Sequence, residues 1–348
     1  EQEVAHVLRD SGAKLLFSDA KYYTLLRDVE PHIPDMHTVV LTDGHEILPI
    51  HSRRIKYFDY DQLIKDVSDQ AAGERRAYDR HHPKDDDGAS FIYTSGTTGR
   101  QKGTMLTHRN FTANVQGCAQ AIRVRADDNF LLVLPLHHSF AFTTNLILPL
   151  SVGAEISFVE NLKTVGENIR EVFPSVLIGV PLLLEKMYNR IWNGLKENKV
   201  GYALFKIGLR KPVIRGIAQK FGGRLRLIVT GGAPCDPELL NGFSQFGFTI
   251  LEGYGLTETS PVLTFNPEAK PKAGSVGKPI PNVEITILDP DSEGNGEIAA
   301  KGPNIMKGYY NNPEATSAVF KDGWFLTGDL GVIDSEGYVT ITGRKKSL

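Results

Sequence analysis

Ala89-Ser-Phe-Ile-Tyr93 runs straight into Thr94-Ser95-Gly96-Thr97-Thr98-Gly99-Arg100-Gln101-Lys102-Gly103. The first five residues read as a buried strand, set off upstream by the charged Lys84-Asp-Asp-Asp87. A loop of hydroxyls and glycines follows. Gly96, Gly99 and Gly103 permit positive φ and close backbone approach. Thr94, Ser95, Thr97 and Thr98 bring hydroxyls, the loop backbone brings N–H groups and Lys102 brings a cation, a set that suits a polyphosphate. The spacing departs from the G-x-x-x-x-G-K-[ST] of P-loop NTPases, because Gln101 stands where that pattern needs its second glycine. A short Gly/Ser/Thr stretch alone is most often a plain surface loop. Ten residues in this order, directly after a strand, turn the reading to phosphate binding.

Downstream lie further stretches with chemistry. Arg226-Leu-Ile-Val-Thr-Gly231-Gly232-Ala233-Pro234 is a strand running into a glycine pair, where backbone can pass close to a flat ligand. Thr249-Ile-Leu-Glu252 leads into Gly253-Tyr254-Gly255-Leu-Thr257-Glu258-Thr259. Tyr254 offers a ring face for a base, Thr257 a hydroxyl for a phosphate, and Glu258 a hard oxygen ligand for Mg²⁺. Taken alone, this stretch also reads as a tight turn with incidental charge. Gly323-Trp-Phe-Leu-Thr-Gly-Asp329 places a carboxylate at an expected strand end, where it can accept both hydroxyls of a ribose. The apolar Asn129-Phe-Leu-Leu-Val-Leu-Pro-Leu136 delivers His137-His138-Ser-Phe140-Ala-Phe142, followed by an apolar helix to about Leu150. A lone histidine there is more often structural; at a strand's carboxyl end it is also placed to line a pocket.

TSGTTGRQKGTMLTH resembles the signature of the adenylate-forming enzymes, which include acyl-CoA synthetases, luciferases and peptide-synthetase adenylation domains. Arg100-Gln101-Lys102 replaces the usual Lys-Pro-Lys and keeps the final cation. The resemblance spans essentially the whole chain, with four motifs in order, the last being Gly343-Arg344-Lys345-Lys346. It implies an α/β fold, with parallel-sheet subdomains in a layered sandwich and a small β-barrel or β-sheet lobe. It also implies an ATP-dependent ligase that converts a carboxylic acid, most similarly a long- or medium-chain fatty acid, to acyl-adenylate and then acyl-CoA. ATP, Mg²⁺ and coenzyme A are the implied cofactors and co-substrates.

Residue by residue, the resemblance assigns Thr94 to Gly99 and Lys102 to the phosphates, and Thr94 and Glu258 to Mg²⁺. Gly232, Ala233 and Tyr254 would frame adenine, Pro234, Glu252, Gly253 and Gly255 would also contact the nucleotide, and Thr257 would sit at the α-phosphate with Asp329 and Arg344 at the ribose. His138 would border the acyl carboxylate, with Phe140, Val180, Gly231 and Gly255 along the acyl chain. Lys102, His138, Thr257 and Glu258 are the expected catalytic set. An acyl-adenylate ligase serving a carrier protein, a luciferase-like oxygenase and a non-catalytic nucleotide-binding relative share these motifs and stay open as alternatives. Homodimer formation is compatible with all of them.

Composition sets outer bounds. Hydrophobic content of 41%, charged content of 23% and mean hydropathy of −0.20 describe a globular protein with room for a core. A net charge of −2 makes no case for a nucleic-acid partner. Cys118 and Cys235 are too few for a disulfide scaffold or a cysteine zinc cluster, and suit a reducing, cytoplasmic setting. His81 and His82 lack companions at metal-ligand spacing. No apolar run approaches a membrane span. From Lys199 to Arg226 eight residues are basic and none acidic, with Tyr202, Phe205 and Leu209 roughly aligned on one helical face. That is either a solvated helix packed on its own domain or a peripheral contact with an anionic membrane.

The expected organisation is an α/β body over 1–270, a β-rich lobe over 271–343 and the start of a hinge at 344–348. Within the body, 1–60 alternates helix and strand, with strands at 14–19 and 38–43, and 61–88 is a surface linker. Glu1 in place of Met, and a last residue soon after Arg344-Lys-Lys, predict a piece of a longer protein cut at both ends. The family's C-terminal domain and its lysine would then lie beyond it.

Overall fold

Leu15–Asp19 (β1), Thr38–Thr42 (β2) and Lys56–Asp59 (β3) lie side by side, each parallel to the next, as the alternation near the amino terminus predicts for β1 and β2. The computed structural model describes residues 1–43, 52, 54–66, 82–94 and 100–345. Two units divide the chain: Glu1–His108 with Gly308–Pro313, and Arg109–Lys307 with Glu314–Leu348.

In the first unit, the helix Gln2–Asp10 and the parallel sheet enclose a core of Leu8, Leu26, Val29, Ile33, Met36, Val39, Leu41 and Ile55. Gly88–Thr94 (β4) pairs antiparallel with Lys102–Thr107 (β5), and the two-residue strand β15 (Gly308–Tyr309) takes the other edge of β5. The glycine-rich loop therefore joins two strands of one antiparallel ladder, closed by the pair Thr94 and Lys102. Residues 61–66 of the expected linker are helical, and His81 lies outside the described residues.

The second unit holds a seven-stranded sheet. Its strands are Asn129–Leu132 (β6), Glu155–Phe158 (β7), Val176–Gly179 (β8), Leu227–Thr230 (β9), Ile250–Gly255 (β10), Val262–Phe265 (β11) and Lys278–Pro279 (β12). Their order is β12-β11-β10-β9-β8-β6-β7, parallel from β10 to β7 and antiparallel beyond. Strands β6, β8 and β9 are buried at every residue, which is why they read as unbroken apolar runs. Successive side chains alternate between faces. Leu131, Leu177, Ile228 and Ile250 join one core with Leu184, Met187 and Phe243 of the helices Pro181–Glu197 and Pro237–Gln245. Phe130, Val176, Ile178, Val229 and Leu251 join another with Val115 and Cys118 of the helix His108–Ala121. Both sheet-covering helices after β8 and β9 start with proline at the first turn, and Asp236 caps the second through Glu238 N at 2.8 Å.

Chain order reverses between β6 and β8, since β6 is followed outward by β7 while β8, β9 and β10 progress the other way. Crevices for ligands form outside the carboxyl ends of strands at such a point. Strand β6 stops at Leu132, short of the expected Leu136, because Pro135 cannot continue a ladder. The following apolar helix spans 139–152, with a π-helical stretch at Phe142–Ile147.

Beyond Pro271 the chain is β-rich, as the composition predicts. Glu284–Leu288 (β13), Gly296–Lys301 (β14), Phe320–Lys321 (β16), Trp324–Ile333 (β17) and Val339–Arg344 (β18) form an antiparallel sheet. The ten-residue β17 is its spine: β14 occupies one edge, while β16 and β18 share the other. Of the two expected forms the lobe takes the open sheet; among the described residues no barrel closes. Strand β17 runs on to Ile333, so Asp329 lies inside a strand and not at its end.

The basic segment splits into helices Lys199–Lys206 and Arg210–Lys220. Phe205 is buried against Trp192 and Phe246, whereas Leu209 falls between the helices and is exposed, so the expected alignment ends at Phe205. Among the described residues no helix is long and apolar enough to cross a membrane.

Candidate functional site

In the first unit the described ends of the glycine-rich loop face each other across β4 and β5 as Thr94 and Lys102. Ser95, Gly96, Thr97, Thr98 and Gly99 lie outside the described residues. The Lys102 ammonium sits 5.0 Å above the ring of Tyr309, which arrives on β15. Gly103 is tightly enclosed: a Cβ there would stand 3.0 Å from the Tyr93 ring. Tyr93 donates to Asp10 Oδ2 at 2.7 Å, and Tyr310 N donates to Gly103 O at 2.8 Å. Burial first, and then the Asp10 carboxylate, push the Tyr93 phenol well above its ordinary value, so it stays a donor.

The second unit brings most of the other expected residues together at the carboxyl ends of its parallel strands. Strand β9 delivers Gly231, Gly232, Ala233 and Pro234, and β10 carries Glu252, Gly253, Tyr254 and Gly255. The stretch that also reads as a tight turn is therefore extended strand as far as Gly255. Gly231 sits between β10 and the helix after β6: a Cβ there would be 3.1 Å from Gly253 O and 3.3 Å from the Phe140 ring. Gly232 adopts φ +79°, where a side chain is strained, and a Cβ there would stand 3.9 Å from Val180 Cγ1. Phe140, Val180, Gly231 and Gly232 thus share one corner.

Glu252 and Thr230 are register partners, both buried, and neither Glu252 Oε2 nor Thr230 Oγ1 has a hydrogen-bond partner among the described residues. Burial raises the Glu252 carboxyl to about 7. At Gly255, β10 crosses the chain at Pro261, and a Cβ would stand 1.8 Å from Pro261 O. Thr257–Thr259 form a single 3₁₀ turn. Thr257 Oγ1 lies 3.1 Å from Ser139 Oγ, and the Glu258 carbonyl accepts from Met306 N at 2.8 Å. His138 precedes the helix at 139–152, its ring centroid 4.1 Å from that of His137. Burial, then the neighbouring His137, lowers the His138 imidazole below its ordinary value, which favours the neutral ring.

Asp329 is buried on β17. Tyr254 donates to its Oδ2 at 2.7 Å, and Arg344 Nε, from the paired position on β18, lies 3.0 Å from its Oδ1. Lys345 continues this edge with a 2.6 Å contact to Glu297. Ser139, Thr230 and Tyr309 escape the sequence reading, because their partners are set by strand order and not by local motif. Among the described residues no three or more His, Cys, Asp or Glu side chains form a metal cluster.

A parallel sheet of reversed strand order thus gathers these residues at the carboxyl ends of its strands, an architecture of α/β enzymes. The chain belongs to the AMP-binding enzyme family, whose profile matches residues 1–310. It is 30% identical over 377 aligned positions to the long-chain-fatty-acid–CoA ligase FadD15 of Mycobacterium bovis, covering all of this chain and 60% of that protein. To the peroxisomal long chain acyl-CoA synthetase 6 of Arabidopsis thaliana it is 31% identical, covering 99% of this chain and 53% of that one. The chain thus spans about 60% or less of the length of these relatives. Among solved structures, ATP-bound MatB from Rhodopseudomonas palustris matches with a TM-score of 0.77 at 27% identity, over 100% of this chain and 62% of that one. A Mycobacterium tuberculosis fatty acyl CoA synthetase matches with a TM-score of 0.74 at 25% identity, over 99% and 61%.

Proposed function

We propose that this protein activates a fatty acid, of long or medium chain, with ATP and passes the acyl group to coenzyme A. In the first half-reaction a carboxylate oxygen of the acid attacks the α-phosphorus of ATP, and the bond to pyrophosphate breaks, leaving acyl-adenylate. In the second, the thiolate of coenzyme A attacks the acyl carbon and AMP departs. No protein side chain need become covalently attached, so the work is positioning and charge stabilisation.

What supports the reading most is the family membership together with the joined set Tyr254, Asp329 and Arg344 in the second unit. Asp329 and Arg344 are assigned to the ribose. The ring of Tyr254 and the backbone of Gly232, Ala233, Pro234 and Gly253 are assigned to adenine, with Glu252 beside them and Thr257 on the α-phosphate. Thr94 and Lys102, at the loop's described ends, are assigned to the pyrophosphate. The corner of Phe140, Val180 and Gly231 takes the start of the acyl chain, with the backbone of Gly255 beside it, and His138 borders the carboxylate. Mg²⁺ supplies charge neutralisation on the phosphates, and Glu258, a hard oxygen donor, suits it. The division into a body over 1–270, a lobe over 271–343 and a hinge start at 344–348 follows these roles.

The test is pyrophosphate release by the full-length protein with ATP and a series of fatty acids, followed by thioester analysis. Acid-dependent pyrophosphate release with acyl-CoA as product supports the proposal. Transfer only to a carrier phosphopantetheine replaces coenzyme A as acceptor, and no acid-dependent release removes the ligase reading.

A further inference from the structure

Asp329 has both carboxylate oxygens engaged, and the two donors differ in kind. On Oδ2 is the phenol of Tyr254, whose side chain is fixed on β10. On Oδ1 is the guanidinium of Arg344, on the last residue of β18; its side chain is 62% exposed against 6% for Asp329. A third contact sets the backbone: Asp329 N donates to Thr327 Oγ1 at 3.1 Å. A sugar diol brings two O–H donors, and Oδ1, whose partner Arg344 is the exposed one, is the oxygen that can exchange its partner to receive them. The exposed guanidinium has water to move into. The phenol is carried on β10, inside the seven-stranded sheet.

We propose that the hydroxyl of Tyr254 is a positioning group for Asp329, and that a ribose diol takes the place of Arg344 on Oδ1 while Tyr254 keeps Oδ2. The inference rests on the assignment of Asp329 to the ribose. It adds that base and sugar are read by one residue: the ring of Tyr254 meets the base, and its O–H fixes the carboxylate that meets the sugar. Burial, then the Asp329 charge, hold the phenol far above its ordinary value, so it remains a donor through the neutral range. A carboxylate anchored at one oxygen presents the other in a single direction. A sugar lacking one hydroxyl cannot replace the guanidinium fully, and a site built around a hydroxyl discriminates strongly against its loss.

The experiment compares KM and kcat for ATP, 2′-deoxy-ATP and 3′-deoxy-ATP in the full-length enzyme and in Tyr254→Phe, Asp329→Asn and the double variant. Phenylalanine keeps the ring for stacking, and circular dichroism with thermal melting establishes that each variant is folded. The unsubstituted enzyme should prefer ATP by at least about tenfold in kcat/KM. Tyr254→Phe should lower that preference about fivefold or more, through KM for ATP, with KM for the deoxy analogues within twofold of the parent. In the Asp329→Asn background the same change should add less than twofold, because coupled residues are not additive. If Tyr254→Phe raises KM for all three nucleotides alike, or its effect is additive with Asp329→Asn, the positioning role is overturned while the ribose assignment stands. If Asp329→Asn itself leaves the preference for ATP intact, the ribose assignment fails, and the inference fails with it.

Discussion

Glu252 and Thr230 face each other from neighbouring parallel strands, both buried, each with a side-chain oxygen that no described residue satisfies. Burial holds the Glu252 carboxyl at about 7 where an ordinary glutamate loses its proton near 4.5. Between those values the folded chain keeps a proton that the unfolded chain has released. The corresponding stability is complete below the lower value and is lost as pH rises through the upper one. Glu252→Gln keeps the shape and removes the charge. It should match the parent near pH 4 and exceed it by a few kcal/mol near pH 8, since each pH unit between the folded and unfolded values carries about 1.4 kcal/mol. Urea denaturation at the two pH values reads the difference; equal gaps at both would disprove it.

Asp128 behaves in the opposite sense. Burial alone would raise its carboxyl, but hydrogen bonds from Arg226 and Ser175 outweigh that and lower it. Its stability contribution is therefore present above the ordinary carboxylate range and fades as pH falls. Asp128→Ala strips the partner from Arg226 and from Ser175 Oγ, and should cost about 2 to 3 kcal/mol at neutral pH. The deficit should shrink in acid, and a chemical-denaturation series across pH measures it.

At Gly255 there is no room for any side chain, because the Pro261 carbonyl lies where a Cβ would be and is itself backbone. Gly255→Ala should destabilise by about 3 kcal/mol or more. Near-parental melting of this variant would show that the chain relaxes at Pro261.

Among the described residues the Lys102 ammonium lies over the Tyr309 ring, and such a contact at a surface is worth about 0.5–1 kcal/mol. Its loss should hardly move the melting temperature. If its ammonium steadies the leaving pyrophosphate, Lys102→Ala should lower acid-dependent pyrophosphate release roughly 10²- to 10³-fold, the range for one lost stabilising donor. A fall below tenfold would remove Lys102 from the catalytic set.

The sequence is most readable where a strand is buried on both faces. Phe130-Leu-Leu and Leu227-Ile-Val read as buried strands, and they are. The site's glycines were legible for a similar reason, since few backbones require positive φ or contact as close as those at Gly232 and Gly255. Strand β5 was not legible: Lys102-Gly-Thr-Met-Leu-Thr107 mixes charge, glycine and hydroxyls, and only its pairing with β4 and β15 makes it a strand. Asp329 was misplaced for a related reason. A Gly-Asp pair signals a turn locally, but β14 pairs with β17 on either side of it, at Leu326 and Leu330, and β18 begins its ladder at Asp329. Tyr309 reaches Lys102 only because the chain returns to β5 long after leaving it.

That return has a consequence for biosynthesis. The first unit cannot finish its second sheet until Gly308–Tyr309 has left the ribosome, after the Arg109–Lys307 part of the second unit has been made. Until then the outer edge of Lys102–Thr107 shows unpaired N–H and C=O groups, a template for intermolecular strand addition. Chains stalled before residue 308, or expressed as a shortened N-terminal piece, should aggregate through that bare edge, whereas chains reaching Pro313 carry their own cover.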